Sequence, residues 1–329
     1  MTTFEPDVGT SAVPLARVRR GGLVESVHLG HLVVLDPDGG ERTVLGQPAE
    51  TVWARSSLKP LQAVAMLRAG LQVDDEQLAL ACASHNGEEG HLLVVERTLG
   101  EHGLTVADLR NTPDWPLDPD ASWQRRTAGH GPESLTQNCS GKHAAMLATC
   151  VAAGWSPAGY LDAGHPLQRA VHDEIAELTG EPVRHTTVDG CGAPLFSTSL
   201  VGLARAFGRV ARAPHDEPDG PLARVARAMT THPWLVAGTG RDATAFMTAV
   251  PGLVAKDGAE GVYAAGLPDG SCLAFKVLDG ASRPRPAVLA AALVEAGVPA
   301  DVVAPLGRTP VLGHGVPVGD VRATFGPLA

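Results

Sequence analysis

A serine and a lysine three residues apart, Ser56 and Lys59, stand just ahead of an apolar helical segment. At the first turn of a helix this spacing places both side chains on one face, within reach of each other. A serine hydroxyl is a weak nucleophile until a base takes its proton, and a neutral lysine amine can be that base. The pattern Ser-x-x-Lys recurs in serine acyl-transfer enzymes. Alone it is weak evidence, because serines and lysines are common.

Two later segments complete a set with Ser56 and Lys59. Ser84 and Asn86 form Ser-x-Asn after a predicted helix, and Lys256 begins Lys-Asp-Gly at the end of a predicted strand. Taken singly, the first is typical of a helix C-terminus and the second of a strand end with a turn. In this order the three elements are the signature of serine β-lactamases and penicillin-binding proteins. Two ammonium groups that share a pocket repel each other, which favours a neutral lysine as the base.

A second group of reactive residues lies in two Gly-rich polar turns. Cys139 and His143 fall at the start of a predicted helix, and Cys191 falls in Asp-Gly-Cys-Gly-Ala-Pro. A free cysteine is most often a buried apolar residue, but these two, unlike Cys150, do not lie on apolar helix faces. The residue types indicate either a zinc site formed by Cys139, Cys191 and His143 or a Cys139 nucleophile beside His143.

Composition restricts the class of protein. The chain has 329 residues and a formal charge of −10 without a run of Lys or Arg, which argues against nucleic acid or an anionic membrane as partner. The N-terminal residues lack the basic start and apolar stretch of a signal peptide, and no apolar segment approaches the roughly 20 residues that span a bilayer. Five cysteines, an odd number, predict reduced thiols rather than a disulfide framework. We therefore expect a soluble cytoplasmic globular protein.

The elements that position these residues are predicted in three blocks. Strands run from Leu15 to about Trp53, separated by Gly- and Asp-rich turns. Helical periodicity follows at 60–68, 74–84, 91–99, 141–153, 166–178, 200–212 and 222–229. Loops are predicted at 111–133 and 211–220. Strands return at 249–255, 261–266 and 272–278, before a helix near 286–295 and a short tail.

Strand blocks at both ends of the chain most simply share one sheet, because chain ends commonly lie near each other. The pattern predicts an α+β fold, with an antiparallel sheet of N- and C-terminal strands, an inserted helical lobe and a cleft between them. In a single unit covering 1–329, we expect the sheet lobe at about 14–55 and 244–329 and the helical lobe at about 60–243.

The chain resembles the Rhizobium etli-type L-asparaginases, the asparaginase II family, in five ordered segments: Arg55–Pro60, Ser84–Glu88, Cys139–His143, Asp189–Pro194 and Lys256–Tyr263. The resemblance runs from the first strands to about Leu278, and five ordered segments are far more specific than any one of them. It implies the fold of serine β-lactamases and bacterial glutaminases. It also implies a homodimer that hydrolyses L-asparagine to L-aspartate and ammonia.

The resemblance also implies roles for individual residues. Ser56 with Lys59 and Ser84 with Lys256 would form two adjacent Ser-Lys pairs, with Ser56 as the leading nucleophile. The substrate-binding residues implied are Arg55, Asn86, His143 and Asp189.

One zinc ion per subunit is implied as cofactor, held by Cys139, Lys142 and Cys191. A lysine can coordinate only after its ammonium loses a proton, so we expect zinc binding to depend strongly on pH. We expect the metal to modulate activity and not to generate hydroxide, so that its removal weakens turnover without abolishing it.

Two other functions share these residues. A β-lactam- or peptide-acting serine acyltransferase would use the same triple signature, but the absence of an export signal weighs against it. A non-catalytic protein that binds zinc or an amino acid could keep the fold, but it would not need both serines and both lysines. Asparagine and glutamine remain alternative amides, and the 111–133 segment has no assigned role.

Overall fold

Most strands of the fold come from the two ends of the chain. The computed structural model describes residues 8–329. Eleven strands occur in this range: β1 (Val13–Arg20), β2 (Leu23–Leu35), β3 (Glu41–Leu45), β4 (Thr51–Trp53), β5 (Thr186–Val188), β6 (Pro194–Ser199), β7 (Val254–Asp257), β8 (Val262–Gly266), β9 (Cys272–Val277), β10 (Thr309–Gly313) and β11 (Val316–Ala323).

The helices fill most of the sequence between β4 and β7. Those within the described range are α1 (Lys59–Arg68), α2 (Asp75–Ala81), α3 (Glu89–Glu101), α4 (Pro119–Thr127), α5 (Ser140–Ala152), α6 (Pro166–Thr179), α7 (Leu200–Asp216), α8 (Pro221–Thr231), α9 (Pro233–Val236), α10 (Asp242–Ala249), α11 (Arg285–Glu295) and α12 (Ala300–Val303). Short 3-10 helices occur at Arg55–Leu58 and Val106–Asp108. The seven helices predicted from periodicity are confirmed as α1, α2, α3, α5, α6, α7 and α8. At the start of α2, Asp74 and Gln77 form a capping box.

Eight strands form one sheet in the order β10-β11-β1-β2-β9-β8-β7, with β3 paired to β2. All of these pairings are antiparallel. Because β2 precedes the helical block and β9 follows it, their pairing joins the two ends of the chain in one sheet. The predicted α+β fold, with an antiparallel sheet and a helical insertion, is confirmed. The lobe boundaries stay a prediction.

Strand β7, which carries Lys256, lies at one edge of this sheet. Its neighbour β8 is buried at every residue, as expected for an apolar strand covered on both faces. Helix α7 packs on β8 and β9, and α11 packs on β9, β1 and β11. The 3-10 helix Arg55–Leu58 contacts β7 and β8, which brings the Ser56 segment to the sheet edge. A smaller sheet, β4-β6-β5, was not predicted.

Two predicted loops contain helix. The polar segment 111–133 includes α4, which is capped by Asp118 and has Pro119 at its first turn. It lacks an apolar stripe because no α4 residue is buried, so periodicity could not indicate it. The loop predicted at 211–220 is also wrong in part, because α7 continues past Pro214 to Asp216.

Two predictions near the C-terminus were wrong. The strand predicted at 249–255 begins only at Val254, because α10 ends at Ala249 and residues 250–253 form a turn. The predicted short tail contains the hairpin β10-β11, which extends the sheet beyond β1. Within residues 8–329, no helix is both long and apolar enough to cross a membrane.

Candidate active site

Ser56 lies in a tight turn at the entry to α1. The Lys59 N–H donates to the carbonyl of Ser56 within a 3-10 turn, and residues three apart in such a turn face the same side. Lys59 is buried and Ser56 is half-buried. Arg55 has a φ of +52°, a left-handed conformation that costs a non-Gly residue about 1–3 kcal/mol and that clusters at functional sites.

The Lys59 amine contacts Ser84 and not Ser56. Its Nζ donates to the carbonyl of Ala83 at 2.5 Å, to Ser84 Oγ at 3.0 Å and to Cys139 Sγ at 3.2 Å. No hydrogen bond to the hydroxyl of Ser56 occurs in the part of the chain that the structure describes. The predicted Ser56-Lys59 pair is thus not hydrogen-bonded here.

Ser84 and Lys256 lie on neighbouring segments without a hydrogen bond between their side chains. The Ser84 N–H donates to Val236 O in an extended backbone contact. Lys256 is fully buried, and its Nζ donates to both the carbonyl and Oδ1 of Asp257 at 2.6 Å. Burial lowers the pKa of Lys256 to about 8; Asp257 opposes this shift and Lys59 adds to it. Lys256 is therefore close to neutral at mildly alkaline pH.

Gly258 allows the Ser56 turn to approach β7. A Cβ at Gly258 would lie 2.7 Å from the carbonyl of Ala54 and 3.0 Å from Ser57 Oγ. Ser57 Oγ donates to the carbonyl of Lys256 at 3.2 Å. The glycine of Lys-Asp-Gly thus has a packing reason, and Ser57 attaches the turn to the strand.

Arg55 and Asp189 form an ion pair beside Ser56. The guanidinium lies 2.8 Å from Asp189 Oδ1, and the side chains are 23% and 13% exposed. The N–H of Gly190 also donates to Asp189 Oδ1. Although burial raises the pKa of Asp189, Lys142 and Arg55 hold it below its ordinary value. The pair therefore offers one positive and one negative group, both partly exposed, at the residue that precedes Ser56 in the sequence.

His143 presents an unpaired donor in the buried part of the site. The N–H of Arg110 donates to the hydroxyl of Tyr160, so the Tyr160 proton points to His143 Nδ1 at 2.8 Å. The ring proton then lies on Nε2, which has no partner among residues 8–329. Burial, Lys142 and Lys59 lower the pKa of His143 well below its ordinary value. The ring is a neutral N–H donor.

The side-chain amide of Asn86 is hydrogen-bonded to other residues of the protein. Its Nδ2 donates to Glu88 Oε1 and to the carbonyl of Thr239, both at 3.0 Å, and its Oδ1 accepts from Arg241 at 3.1 Å. Glu88, which had no predicted role, also accepts from the N–H and hydroxyl of Thr239. Both N–H donors of the Asn86 amide are thus used. Its predicted contact with substrate could be made only through the remaining lone pair of Oδ1.

Cys139, Lys142 and Cys191 meet at one point behind Lys59. The two cysteines pack together, and Lys142 Nζ lies 3.2 Å from Cys191 Sγ. The hydrogen bond from Cys191, with Lys59 and Lys142, lowers the pKa of Cys139 well below its ordinary value. That hydrogen bond and burial raise the pKa of Cys191. Although burial lowers it, the pKa of Lys142 is raised by both cysteines and Asp189.

Two thiols and an amine in contact are a donor set that fits zinc. The set inferred from residue types alone, with His143 as third ligand, does not form. Among the described residues, no group of three His, Cys, Asp or Glu side chains could hold a metal ion.

The 111–133 segment connects two sides of the site. At one end, the N–H and hydroxyl of Thr112 donate to the carbonyls of Cys191 and Gly190. Further along, the N–H of Asp118 donates to the carbonyl of Asn86. The length of this segment is evident from the sequence but its position is not, since these contacts are made largely by backbone groups.

Compared with known protein families, the chain matches L-asparaginase II over residues 16–323. The chain belongs to this family. The resemblance noted in five sequence segments is thereby confirmed. None of the curated proteins matches the chain by sequence.

Solved structures with a similar arrangement have low sequence identity. Mglu in its native form is 14% identical with a TM-score of 0.42, covering 83% of this chain and 64% of Mglu. A beta-lactamase from Mycobacterium bovis is 14% identical with a TM-score of 0.43, covering 83% of this chain and 95% of its own. EstCE1, a hydrolase with promiscuous acyltransferase activity, is 12% identical with a TM-score of 0.37, covering 90% of this chain and 94% of EstCE1. This chain thus spans under two thirds of the length of Mglu.

Proposed function

We propose that the protein is an L-asparaginase that hydrolyses L-asparagine to L-aspartate and ammonia through an acyl-enzyme on Ser56. The observation that carries the proposal is the Arg55–Asp189 ion pair beside Ser56, on the same turn that delivers Lys59 to Ser84. Family membership supports the reaction class. A homodimer in the cytoplasm is part of the same proposal.

An α-amino acid carries one carboxylate and one ammonium on the same carbon. Arg55 would bind the carboxylate and Asp189 the ammonium. Substrate binding would then replace the ion pair between the two residues with one ion pair from each residue to the substrate. The exchange preserves charge pairing, which limits its electrostatic cost. It also fixes the side-chain amide relative to Ser56. The neutral His143 Nε2–H is a further donor for a substrate oxygen.

The chemistry proceeds in two acyl-transfer steps. Ser56 Oγ attacks the carboxamide carbon while its proton passes to a lysine amine. Collapse of the tetrahedral intermediate breaks the C–N bond, and the proton goes to the departing nitrogen, which leaves as ammonia. Water then attacks the ester, and aspartate leaves as the Ser56 hydroxyl is restored. Lys59, Ser84 and Lys256 share the proton transfers, and backbone N–H groups at the Ser56 turn and on β7 are the proposed oxyanion donors.

Cys139, Lys142 and Cys191 are the proposed holders of one zinc ion. When bound, zinc supplies a Lewis-acidic centre that fixes both thiolates and shapes the wall of the site. The proposed steps themselves are carried by the serines and lysines.

The test is ammonia release from L-asparagine and L-glutamine, with intact-mass analysis of the acid-quenched enzyme. We expect ammonia from L-asparagine and an aspartyl ester on the peptide that contains Ser56. Ser56→Ala should lose both, whereas Ser26→Ala, at an exposed position on β2, should keep both. An ester on Ser84, or full activity of Ser56→Ala, would show that Ser56 is not the nucleophile. Hydrolysis of a chromogenic cephalosporin without ammonia release would support the acyltransferase alternative, and asparagine binding without turnover the non-catalytic one.

A further inference from the structure

A chain of buried charges lies behind Ser84 and Lys256. Asp257, at the end of β7, accepts a hydrogen bond at Oδ1 from Lys256 Nζ. Its Oδ2 accepts from Arg241 Nη2 at 2.9 Å and from Arg285 Nη1 at 3.2 Å. The Asp257 side chain is only 6% exposed, so one buried carboxylate is shared by three cations.

Arg241 joins the two segments that carry Ser84 and Lys256. Its Nη1 donates to the carbonyl of Ser84 at 3.3 Å and to Asn86 Oδ1 at 3.1 Å. Its Nη2 donates to Asp257, which holds Lys256. A guanidinium is planar and presents its donors in a fixed fork. Arg241 therefore fixes the spacing between the Ser84 backbone and the carboxylate that orients the Lys256 amine.

Arg285 and Asp242 complete the chain of charges from α11 and α10. Arg285 Nε lies 3.1 Å from Asp242 Oδ2, and both side chains are largely buried. In formal charge the two arginines and two aspartates cancel, although burial raises the pKa of Asp242. The Lys256 ammonium is then the surplus buried cation, and an uncompensated buried charge is costly.

The groups that face Lys256 determine which protonation state is favoured. Burial lowers the pKa of Lys256, Asp257 raises it, and Lys59 and Arg241 lower it further. A further titratable neighbour is Cys82, whose pKa burial raises to about 12, so its thiol is uncharged. Asp257 thus orients the amine as a hydrogen-bond acceptor and favours the ammonium form, and Arg241 and Lys59 oppose this effect.

We propose that Arg241 and Asp257 are positioning residues, which hold the Lys256 amine and the Ser84 backbone in one unit, and that the Arg241 cation opposes protonation of Lys256 so that it can serve as a base. Neither residue contacts the substrate. This inference rests on the proposed function, in which Lys256 takes part in proton transfer. It gives a role to Asp257, the middle residue of Lys-Asp-Gly, and adds Arg241, which no sequence motif indicated.

The titration of Lys256 can be followed without any assay of activity. The chain has four lysines, Lys59, Lys142, Lys256 and Lys276, so NMR of protein with isotope-labelled lysine side chains can resolve them, with Lys256→Arg for assignment. Arg241→Gln removes a repelling cation and should move the Lys256 midpoint to higher pH. Asp257→Asn removes the anion that stabilises the ammonium and should move it to lower pH. Identical midpoints in wild type and variants would overturn the proposal. Where Asp257→Asn does not fold, Arg241→Gln alone decides.

Geometry is tested separately from charge by Arg241→Lys. This variant keeps the positive charge but cannot bridge Ser84 and Asp257, so kcat should fall on the order of 10- to 100-fold while the Lys256 midpoint stays close to that of wild type. The matched control is Arg224→Lys, which loses a guanidinium contact to the carbonyl of Val73. An Arg241→Lys enzyme with a lower Tm but unchanged kcat would show a structural role only and overturn the proposal.

The two proposals fail in different ways. In one case, the Lys256 midpoint moves in opposite directions in Arg241→Gln and Asp257→Asn, but the wild-type protein releases no ammonia. This result would support the positioning of Lys256 and overturn the proposed function. Normal ammonia release with no shift in either variant would overturn the positioning role and leave the proposed function standing.

Discussion

Lys59 Nζ lies 3.0 Å from Ser84 Oγ, so the lysine of the first predicted pair contacts the serine of the second. This contact joins one member of each predicted dyad, and neither dyad is itself hydrogen-bonded through its side chains among the described residues. Ser56, three residues before Lys59, is half-buried, and its hydroxyl has no partner within residues 8–329. A free hydroxyl suits a nucleophile that must reach a substrate carbon, whereas Ser84 suits a role in proton transfer.

The Lys59–Ser84 contact predicts that the losses of kcat in single variants of these two residues do not add up in the double variant. Lys59→Met and Ser84→Ala should each lower kcat by about 10²- to 10⁴-fold, the range of general acid–base catalysis. The double variant should be little worse than Lys59→Met, because residues that act as a unit fail together. The check is steady-state ammonia release from all three variants. If the fold-losses of kcat in the two single variants multiply in the double variant, the two side chains act independently.

Substrate recognition by Arg55 and Asp189 predicts a change in KM. Arg55→Gln and Asp189→Asn each remove one charge-assisted hydrogen bond to the substrate, worth about 1.5–3 kcal/mol. KM for L-asparagine should therefore rise roughly 10- to 100-fold, with a smaller change in kcat. The control is Glu260→Gln: the Glu260 carboxylate is 4.0 Å from Arg55 and 66% exposed, so its loss should change little. A KM that rises equally in Glu260→Gln would point to a general charge effect.

Much of the site could be predicted from sequence because its residues lie in short segments. The order of the five segments alone groups Ser56, Ser84 and Cys191 with their neighbours in one site. Which lysine contacts which serine could not be predicted, because that depends on how α1 lies against the segment after α2. Arg241 and Arg285 were missed for a related reason: an isolated arginine has no spacing signal, and its partner Asp257 is distant in sequence.

The fold was predictable wherever one face of an element is apolar. α7 has buried residues along its length, and its periodicity indicated it clearly. α4 has none, and the hairpin β10-β11 is largely exposed, so neither carries the pattern of a packed face. The strand predicted at 249–255 included the turn between α10 and β7, since a short apolar stretch does not show where a strand begins.

The close approach at Gly258 predicts a joint loss of stability and activity. An added Cβ would overlap the carbonyl of Ala54, and such overpacking costs about 1–3 kcal/mol. In Gly258→Ala we expect a lower free energy of unfolding by urea titration and a lower kcat, because the Ser56 turn must shift. Gly131→Ala, with open space around its Cβ, is the control. Wild-type stability and kcat in Gly258→Ala would contradict the packing role.

Glu174 predicts a pH-dependent change in stability outside the site. Its buried carboxyl lies 3.0 Å from Arg68, and burial raises its pKa to about 7 despite this partner. Because the unfolded pKa is about 4.3, the folded state favours the protonated form, and this contribution is lost as pH rises through about 7. Glu174→Gln should therefore gain in Tm relative to wild type between about pH 4 and about pH 8.

The matched control for Glu174 is Glu177→Gln. Glu177 also pairs with Arg68 but is 61% exposed, so its removal should change Tm by a similar small amount at all pH values. A Glu174→Gln difference that does not grow with pH would contradict the buried-carboxyl interpretation.

Zinc binding by Cys139, Lys142 and Cys191 predicts proton release and a modulatory effect. Both thiols and the lysine ammonium must lose protons to coordinate, so affinity should fall as pH is lowered. Calorimetry in two buffers of different ionisation enthalpy measures the protons released. Cys191→Ala should lose more affinity than the roughly 10- to 100-fold that removal of an outer-shell partner costs. Cys150→Ala, a buried cysteine on α5, should bind as wild type does.

Activity after chelation decides the role of the metal. We expect chelated wild-type enzyme and Lys142→Met to release ammonia more slowly but measurably, because the proposed steps are carried by the serines and lysines. Equal zinc affinity in Cys191→Ala and Cys150→Ala would place the metal elsewhere. A chelated enzyme that is inactive, and that zinc restores fully, would show that the metal is required for catalysis.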